Sequence, residues 1–293
     1  MGEELIPVQI ENDKHIALWK YSPENSIEDK NILMTHGTFS NRKVLKGIVQ
    51  YLVANEFTCW VFEWRSHGES SKVSTDFNYE TVGREDFKLV FSYLFEQQKI
   101  KRLHCVTHSA GGFCLAMALV NYPLYQSKID SISMFGCQVF GAGLTWSNYL
   151  KILIGKYTSK LLGTVPARKT GSEENESYFL MKQWYDWNLN ENFIGNTGID
   201  YKKELKNIRI PILAFYGGSD HFIAPPKACK AFLDLFENPV NKGFLCSKDE
   251  GYLENYNHSR LMLSSNAKKE LYPIVLDWIN QYLINENEEL RFL

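Results

Sequence analysis

Short apolar runs alternate with stretches of helical spacing, and that alternation sets the expected fold. Residues 5–10 and 15–21 flank Asn12-Asp13 and read as a hairpin of two strands. Asn31-Ile32-Leu33-Met34-Thr35 is a compact apolar strand. Val44, Leu45, Ile48, Val49 and Leu52 recur at helical spacing and predict a helix over 44–55. A strand is expected at 57–62. A long amphipathic helix is expected at 79–97, with Val82, Phe87, Val90, Phe91 and Leu94 on one face. The run Leu103-His104-Cys105-Val106 predicts another strand, 113–120 a helix, and 129–135 a further strand. From Gly141 to residue 205 the strand alternation lapses, and Trp146, Tyr149, Tyr157, Tyr178, Trp184, Tyr185 and Trp187 accumulate. The strand pattern returns at 210–216. A helix near 226–236, a short strand near 243–247 and a closing helix near 267–284 follow.

Strands and helices alternating at this spacing predict a mostly parallel sheet covered on both faces. In such sheets ligands bind beyond the carboxyl ends of the strands. Three turns that carry reactive residues follow strand ends, after Thr35, Val106 and Tyr216.

The turn after Val106 reads Thr107-His108-Ser109-Ala110-Gly111-Gly112. A short apolar strand, a sharp turn centred on serine and a helix form the context of a nucleophile elbow. The helix behind such a turn aims its first N–H groups and positive dipole end at the site. Gly111 suits the tight turn, and Thr107 is bulkier than the position favours. The plainer use of Ser109 is as a cap for a buried helix.

Composition narrows the picture. The chain has 293 residues, 44% hydrophobic and 14% aromatic, with 32 basic and 34 acidic residues and a net charge of −2. That balance gives no sign of a nucleic-acid partner. Six scattered cysteines form no CxxC pair and sit mostly in apolar runs, which points to buried reduced thiols. No secretory signal, myristoylation pattern or membrane-length apolar run is apparent, so a cytoplasmic location is expected.

Four features then line up in order: His36-Gly37 after the strand at 31–35, Ser109 in the elbow, Asp220 in Gly217-Gly218-Ser219-Asp220, and His258 in Tyr256-Asn257-His258-Ser259. Arg65-Ser66-His67-Gly68-Glu69-Ser70 resembles an RGHGxS turn. Together these resemble the α/β-hydrolase fold family, in its serine esterase and lipase-like, lid-bearing group. The resemblance spans 30–140 and 205–284. It implies an α/β fold with a mostly parallel central sheet of about eight strands and helices on both faces. The hydrolase core would comprise 1–140 and 206–293, and 141–205 would be a helical lid or cap.

On this reading Ser109 is the nucleophile, His258 the base and Asp220 its orienting carboxylate. The other six histidines fit poorly. His15 lies on an early strand, His36 shapes a loop, and His67 belongs to the RGHGxS-like turn. His104 sits within the elbow strand, His108 points away from its neighbour Ser109, and His221 adjoins Asp220. The backbone N–H groups of Thr38 and Ala110 are the expected oxyanion donors, with Phe39 the fallback for Thr38. Phe39, Trp146 and Trp184 are expected to contact substrate. No cofactor or metal is implied. Leu150, Leu153, Ile154, Tyr157 and Leu161 form a helical stripe flanked by Lys151, Lys156 and Lys160. Packing over the core is its favoured use, and peripheral contact with a membrane or lipid is the alternative.

The expected activity is hydrolysis of a carboxylic ester of a hydrophobic acyl substrate through an acyl-enzyme. A thioesterase, amidase or acyltransferase on the same residues is the nearest alternative. A non-catalytic ligand-binding relative is the alternative of another class. The oligomeric state is left open.

Overall fold

The computed structural model describes residues 1–24, 30–74 and 76–283. The last residue of the expected closing helix, 284, and the rest of the expected core to 293 lie outside the described residues.

Eight strands form the central sheet: β1 (Gly2–Glu11), β2 (Lys14–Ser22), β3 (Asn31–Thr35), β4 (Thr58–Glu63), β5 (Leu103–His108), β6 (Ile129–Phe135), β9 (Ile212–Gly217) and β10 (Lys242–Cys246). The remaining pair, β7 (Thr164–Val165) and β8 (Glu176–Ser177), forms a separate two-stranded ribbon. The sheet order is β1-β2-β4-β3-β5-β6-β9-β10. β2 runs antiparallel to both its neighbours, and every pairing from β4 to β10 is parallel. Each parallel crossover needs a long connection, which the helices supply.

The parallel strands are buried on both faces, and their side chains sort by the two-residue period. Ile32 and Met34 of β3, with Cys59 and Val61 of β4, face the layer made by α1 (Lys46–Ala54) and α7 (Ser265–Gln281). Leu33, Trp60 and Phe62 face the other layer, made by α2 (79–97) and α3 (Ala110–Asn121). Two turns of α2, Val82–Asp86 and Tyr93–Gln97, are wider than α-helical. Residue spacing does not register such local widening. The helix α3 is apolar almost all round and is buried along nearly its whole length.

Between β6 and β9 lie α4 (Trp146–Leu162), the β7–β8 ribbon and α5 (Tyr178–Asn190). The ribbon adds strand structure to the expected helical insert. Its strands are two residues each, too short for alternation to show in the sequence. A departure from expectation concerns α4. Its exposed face carries Trp146, Leu150, Ile154, Tyr157 and Leu161, with Leu153 of the expected stripe half-buried, while Asn148, Ile152 and Ser159 are buried. The apolar stripe is therefore not the face that packs on the core. After β9 come α6 (Pro226–Leu233), β10 and the loop that carries His258.

Candidate active site

Ser109 joins β5 to α3 at φ 52°, ψ −125°. A serine held there costs on the order of 1–3 kcal/mol. Its amide offsets part of this by donating to the Phe135 carbonyl on β6 at 2.8 Å. Gly111 passes against the His36 carbonyl, where a Cβ would lie 2.6 Å from that oxygen. Thr107 is accommodated because its hydroxyl reaches the Ser133 carbonyl at 3.4 Å.

His258 and Asp220 come from loops beyond β10 and β9. The His258 Nδ1–H donates to Asp220 Oδ2 at 2.7 Å, and its Nε2 is 2.9 Å from Ser109 Oγ. Nδ1 carries the proton toward the carboxylate, so Nε2 is the acceptor for the serine hydroxyl. Burial would raise the Asp220 carboxyl, but the His258 hydrogen bond and charge, with backbone N–H groups, hold it below the ordinary carboxylate range. Asp220 also caps its own turn, accepting from the Ile223 amide at 3.0 Å. The capping use and the triad geometry coexist. Gly136, at φ 59°, leaves room for the ring: a Cβ there would lie 3.0 Å from His258 Nδ1. Asn257, which stands where a glycine is commoner, accepts from the Arg260 amide at 3.0 Å and starts the next helical turn.

The loop after β3 approaches from the other side. His36 is fully buried; its Nδ1–H donates to the Gly37 carbonyl at 2.8 Å, and its Nε2 accepts from the Trp64 amide at 3.2 Å. Burial, reinforced by neighbouring His67, holds His36 well below the ordinary imidazole range and keeps it neutral. The Thr38 and Ala110 amides donate no hydrogen bond among the described residues, and both residues line the cavity beside Ser109. The Phe39 amide is engaged, donating to Glu176 Oε1 at 2.7 Å. It therefore cannot serve as the fallback oxyanion donor. The Thr38 hydroxyl lies 2.8 Å from Tyr79 OH.

The remaining histidines fall outside this relay. The buried His108 donates from Nε2 to the His258 carbonyl at 3.3 Å, and burial brings it down to about 3. It steadies the His258 backbone. His15 lies beside Glu69 and Ser71, His104 reaches Ser131, and His67 faces Glu176. His221 is exposed. All six cysteines are buried and unpaired. Among the described residues no group of three His, Cys, Asp or Glu is placed to hold a metal ion.

A cavity of about 310 Å³ opens onto Ser109. Its walls are Phe39, Tyr79, Phe113, Ile152, Met181 and Trp184, among others. Phe39 and Trp184, expected to contact substrate, line this cavity. Trp146 does not. It is 74% exposed at the start of α4 and stacks on Tyr149, because the inward face of that helix begins with Asn148 and Ile152. Sequence reasoning missed Tyr79, Met181 and Phe222, which line the cavity, and Glu174 and Glu176, which hold the loop after β3. The pair of acids two residues apart was the one visible signal, and no motif marks it.

Comparison with known proteins agrees with this architecture. Residues 30–148 match a family model described as alpha/beta hydrolase fold. No curated protein matches the sequence. Among solved structures, an esterase from Thermogutta terrifontis aligns with a TM-score of 0.63 at 12% identity, covering 97% of this chain and all of that one. A monoacylglycerol lipase from Paleococcus ferrophilus aligns at 0.64 and 16%, covering 90% and 99%. A bromoperoxidase from Bacillus anthracis aligns at 0.59 and 17%, covering 95% and 100%. At such identities the likeness concerns the fold. No helix among the described residues is long and apolar enough to cross a membrane. Sheet order, elbow and the match over residues 30–148 together show that the chain has the α/β-hydrolase fold.

Proposed function

We propose that the protein is a serine hydrolase that cleaves carboxylic esters of hydrophobic acyl groups. One observation carries the reading: the Asp220–His258–Ser109 relay opens directly into an apolar cavity. Ser109 Oγ attacks the ester carbonyl carbon while His258 Nε2 takes its proton. The oxyanion is stabilised by the amides of Thr38 and Ala110 and by the N-terminal end of α3. The imidazolium then gives its proton to the leaving alcohol as the C–O bond breaks. A water enters, loses a proton to His258 and attacks the acyl-enzyme; collapse of the second tetrahedral intermediate frees the acid and returns the proton to Ser109. Asp220 stays ionised throughout and stabilises the imidazolium.

The cavity lies at the small end of the usual range for ligand pockets, about 300–1,000 Å³. Its aromatic and aliphatic walls suit an acyl chain better than a polar group. A panel of p-nitrophenyl esters from acetate to laurate tests this reading, with acyl thioesters alongside. Highest kcat/KM on a medium acyl ester is expected. Faster turnover of short polar esters would refute the substrate class, and a preference for thioesters would move the assignment to a thioesterase.

The exposed stripe of α4 favours a second element of the same reading. Trp146, Ile154, Tyr157 and Leu161 are each more than 60% exposed on one face, flanked by Lys151 and Lys160. An apolar face between cations suits the surface of an anionic lipid aggregate.

A further inference from the structure

Two acids of the segment between β6 and β9 reach the loop after β3. Glu174 and Glu176 sit two residues apart on the chain entering α5, and both are buried. Glu176 Oε1 accepts from the Phe39 amide at 2.7 Å and faces His67 Nε2 at 3.0 Å. Glu174 Oε1 accepts from Asn41 Nδ2 at 3.0 Å and from the Gly68 amide at 3.1 Å. Its Oε2 accepts from Arg168 at 2.6 Å, and its own amide donates to the Phe39 carbonyl at 3.0 Å. Both main-chain polar groups of Phe39 are thus held by this one short segment. Buried carboxylates are tolerated only when so fully bonded, and charge-assisted bonds of this kind are the strong ones.

Thr38 lies between two pinned peptides. In the preceding one, the Gly37 carbonyl is bonded to His36 Nδ1; in the following one, the Phe39 amide is bonded to Glu176. The Thr38 N–H belongs to the first peptide, so its direction is fixed only while both hold. Phe39 has a φ of 61°, a conformation that bulky residues adopt only under constraint. Without Glu176 the loop has reason to relax away from this geometry.

We propose, on the serine-hydrolase reading above, that Glu176 is a positioning residue for the oxyanion donor at Thr38. The segment that walls the acyl cavity is then also part of the catalytic apparatus. Any motion that lifts residues 174–176 from the loop after β3 releases the Phe39 amide and with it the orientation of the Thr38 donor.

The test compares wild type, Glu176→Ala, Glu176→Asp and Glu176→Gln. Rates are normalised to active sites titrated to completion with a fluorophosphonate. Glu176→Ala should lower kcat about ten- to a hundredfold, the scale of loss from small misplacement of catalytic groups, with KM within about twofold. Glu176→Gln keeps an acceptor for the Phe39 amide and should recover kcat to within about threefold of wild type. Glu176→Asp keeps the charge but falls one methylene short, so it should behave like the alanine variant and serves if that variant does not fold. A folded alanine or aspartate variant with wild-type kcat overturns the inference, as does a glutamine variant as slow as alanine. A wild type that takes no label overturns the hydrolase reading, and this inference with it.

Discussion

Gly37 meets Ser109 so closely that one methyl group should disable the proposed site. A Cβ at Gly37 would lie 2.5 Å from Ser109 Cβ, 3.0 Å from the His108 carbonyl and 3.2 Å from Ser109 Oγ. Ordinary carbon contacts begin near 3.4 Å, so Gly37→Ala requires a separation of about 0.9 Å between the loop and the elbow. Neither side yields easily. The elbow is bonded to β6 through the Ser109 amide, and the loop is held by His36 and Glu176. Overpacking of this kind costs about 1–3 kcal/mol of stability. The larger effect falls on rate, because the Thr38 amide moves with Gly37. A misplacement of about 1 Å costs on the order of a hundredfold in kcat. The assay is kcat and KM on the best p-nitrophenyl ester, with urea unfolding to measure stability. A folded Gly37→Ala variant with kcat within threefold of wild type would show that this loop does not supply an oxyanion donor.

Three further outcomes follow from the same geometry. Asp220→Asn leaves the ring packed but removes the charge that fixes the His258 tautomer, so kcat should fall about 10³- to 10⁴-fold with little change in KM; a loss under tenfold refutes the role. Burial opposes a charge on His67, but Glu176, the Arg65 carbonyl and Glu174 together raise it above the ordinary 6.5, with neutral His36 and Trp64 the rings beside it. Its contribution to stability is therefore fully present below pH 6.5 and is lost as pH rises through the raised folded value, so the wild-type Tm should fall more steeply than that of His67→Gln above neutral pH. Equal slopes refute that. Leu161→Asp, on a side chain 87% exposed, should change stability by no more than about 0.5 kcal/mol yet weaken sedimentation with anionic vesicles; unchanged sedimentation removes the lipid contact.

The sheet was legible in the sequence because parallel strands buried on both faces leave compact apolar runs such as 31–35 and 129–135. Ser109 and Asp220 were legible because each follows a strand end, and a parallel sheet gathers strand ends at one edge; His258, well past β10, was legible from the Ser, Asp, His order of the resemblance and the poor fit of the other six histidines. The loop after β3 was legible only in outline. Thr38 is the expected donor and Phe39 its fallback on sequence alone, and only the bond of the Phe39 amide to Glu176 separates the two. The segment between β6 and β9 was the least legible. Trp146 looked like a pocket residue because aromatics cluster in that stretch, yet its helix turns Asn148 and Ile152 inward. A helical stripe identifies an apolar face but not what the face meets. The apolar stripe of α4 faces outward, and a half-polar face does the packing. Glu174 and Glu176 lie about 135 residues from their partners on the β3 loop, a separation that local pattern does not span.

The proposed chemistry requires Ser109 to be an activated nucleophile. The most direct measurement is covalent labelling by a fluorophosphonate, with the modified peptide located by mass spectrometry in wild type and in a folded Ser109→Ala variant. One label per chain on Ser109, absent from the variant, is the predicted result. A label on another residue, or one that persists in Ser109→Ala, contradicts the account at its centre.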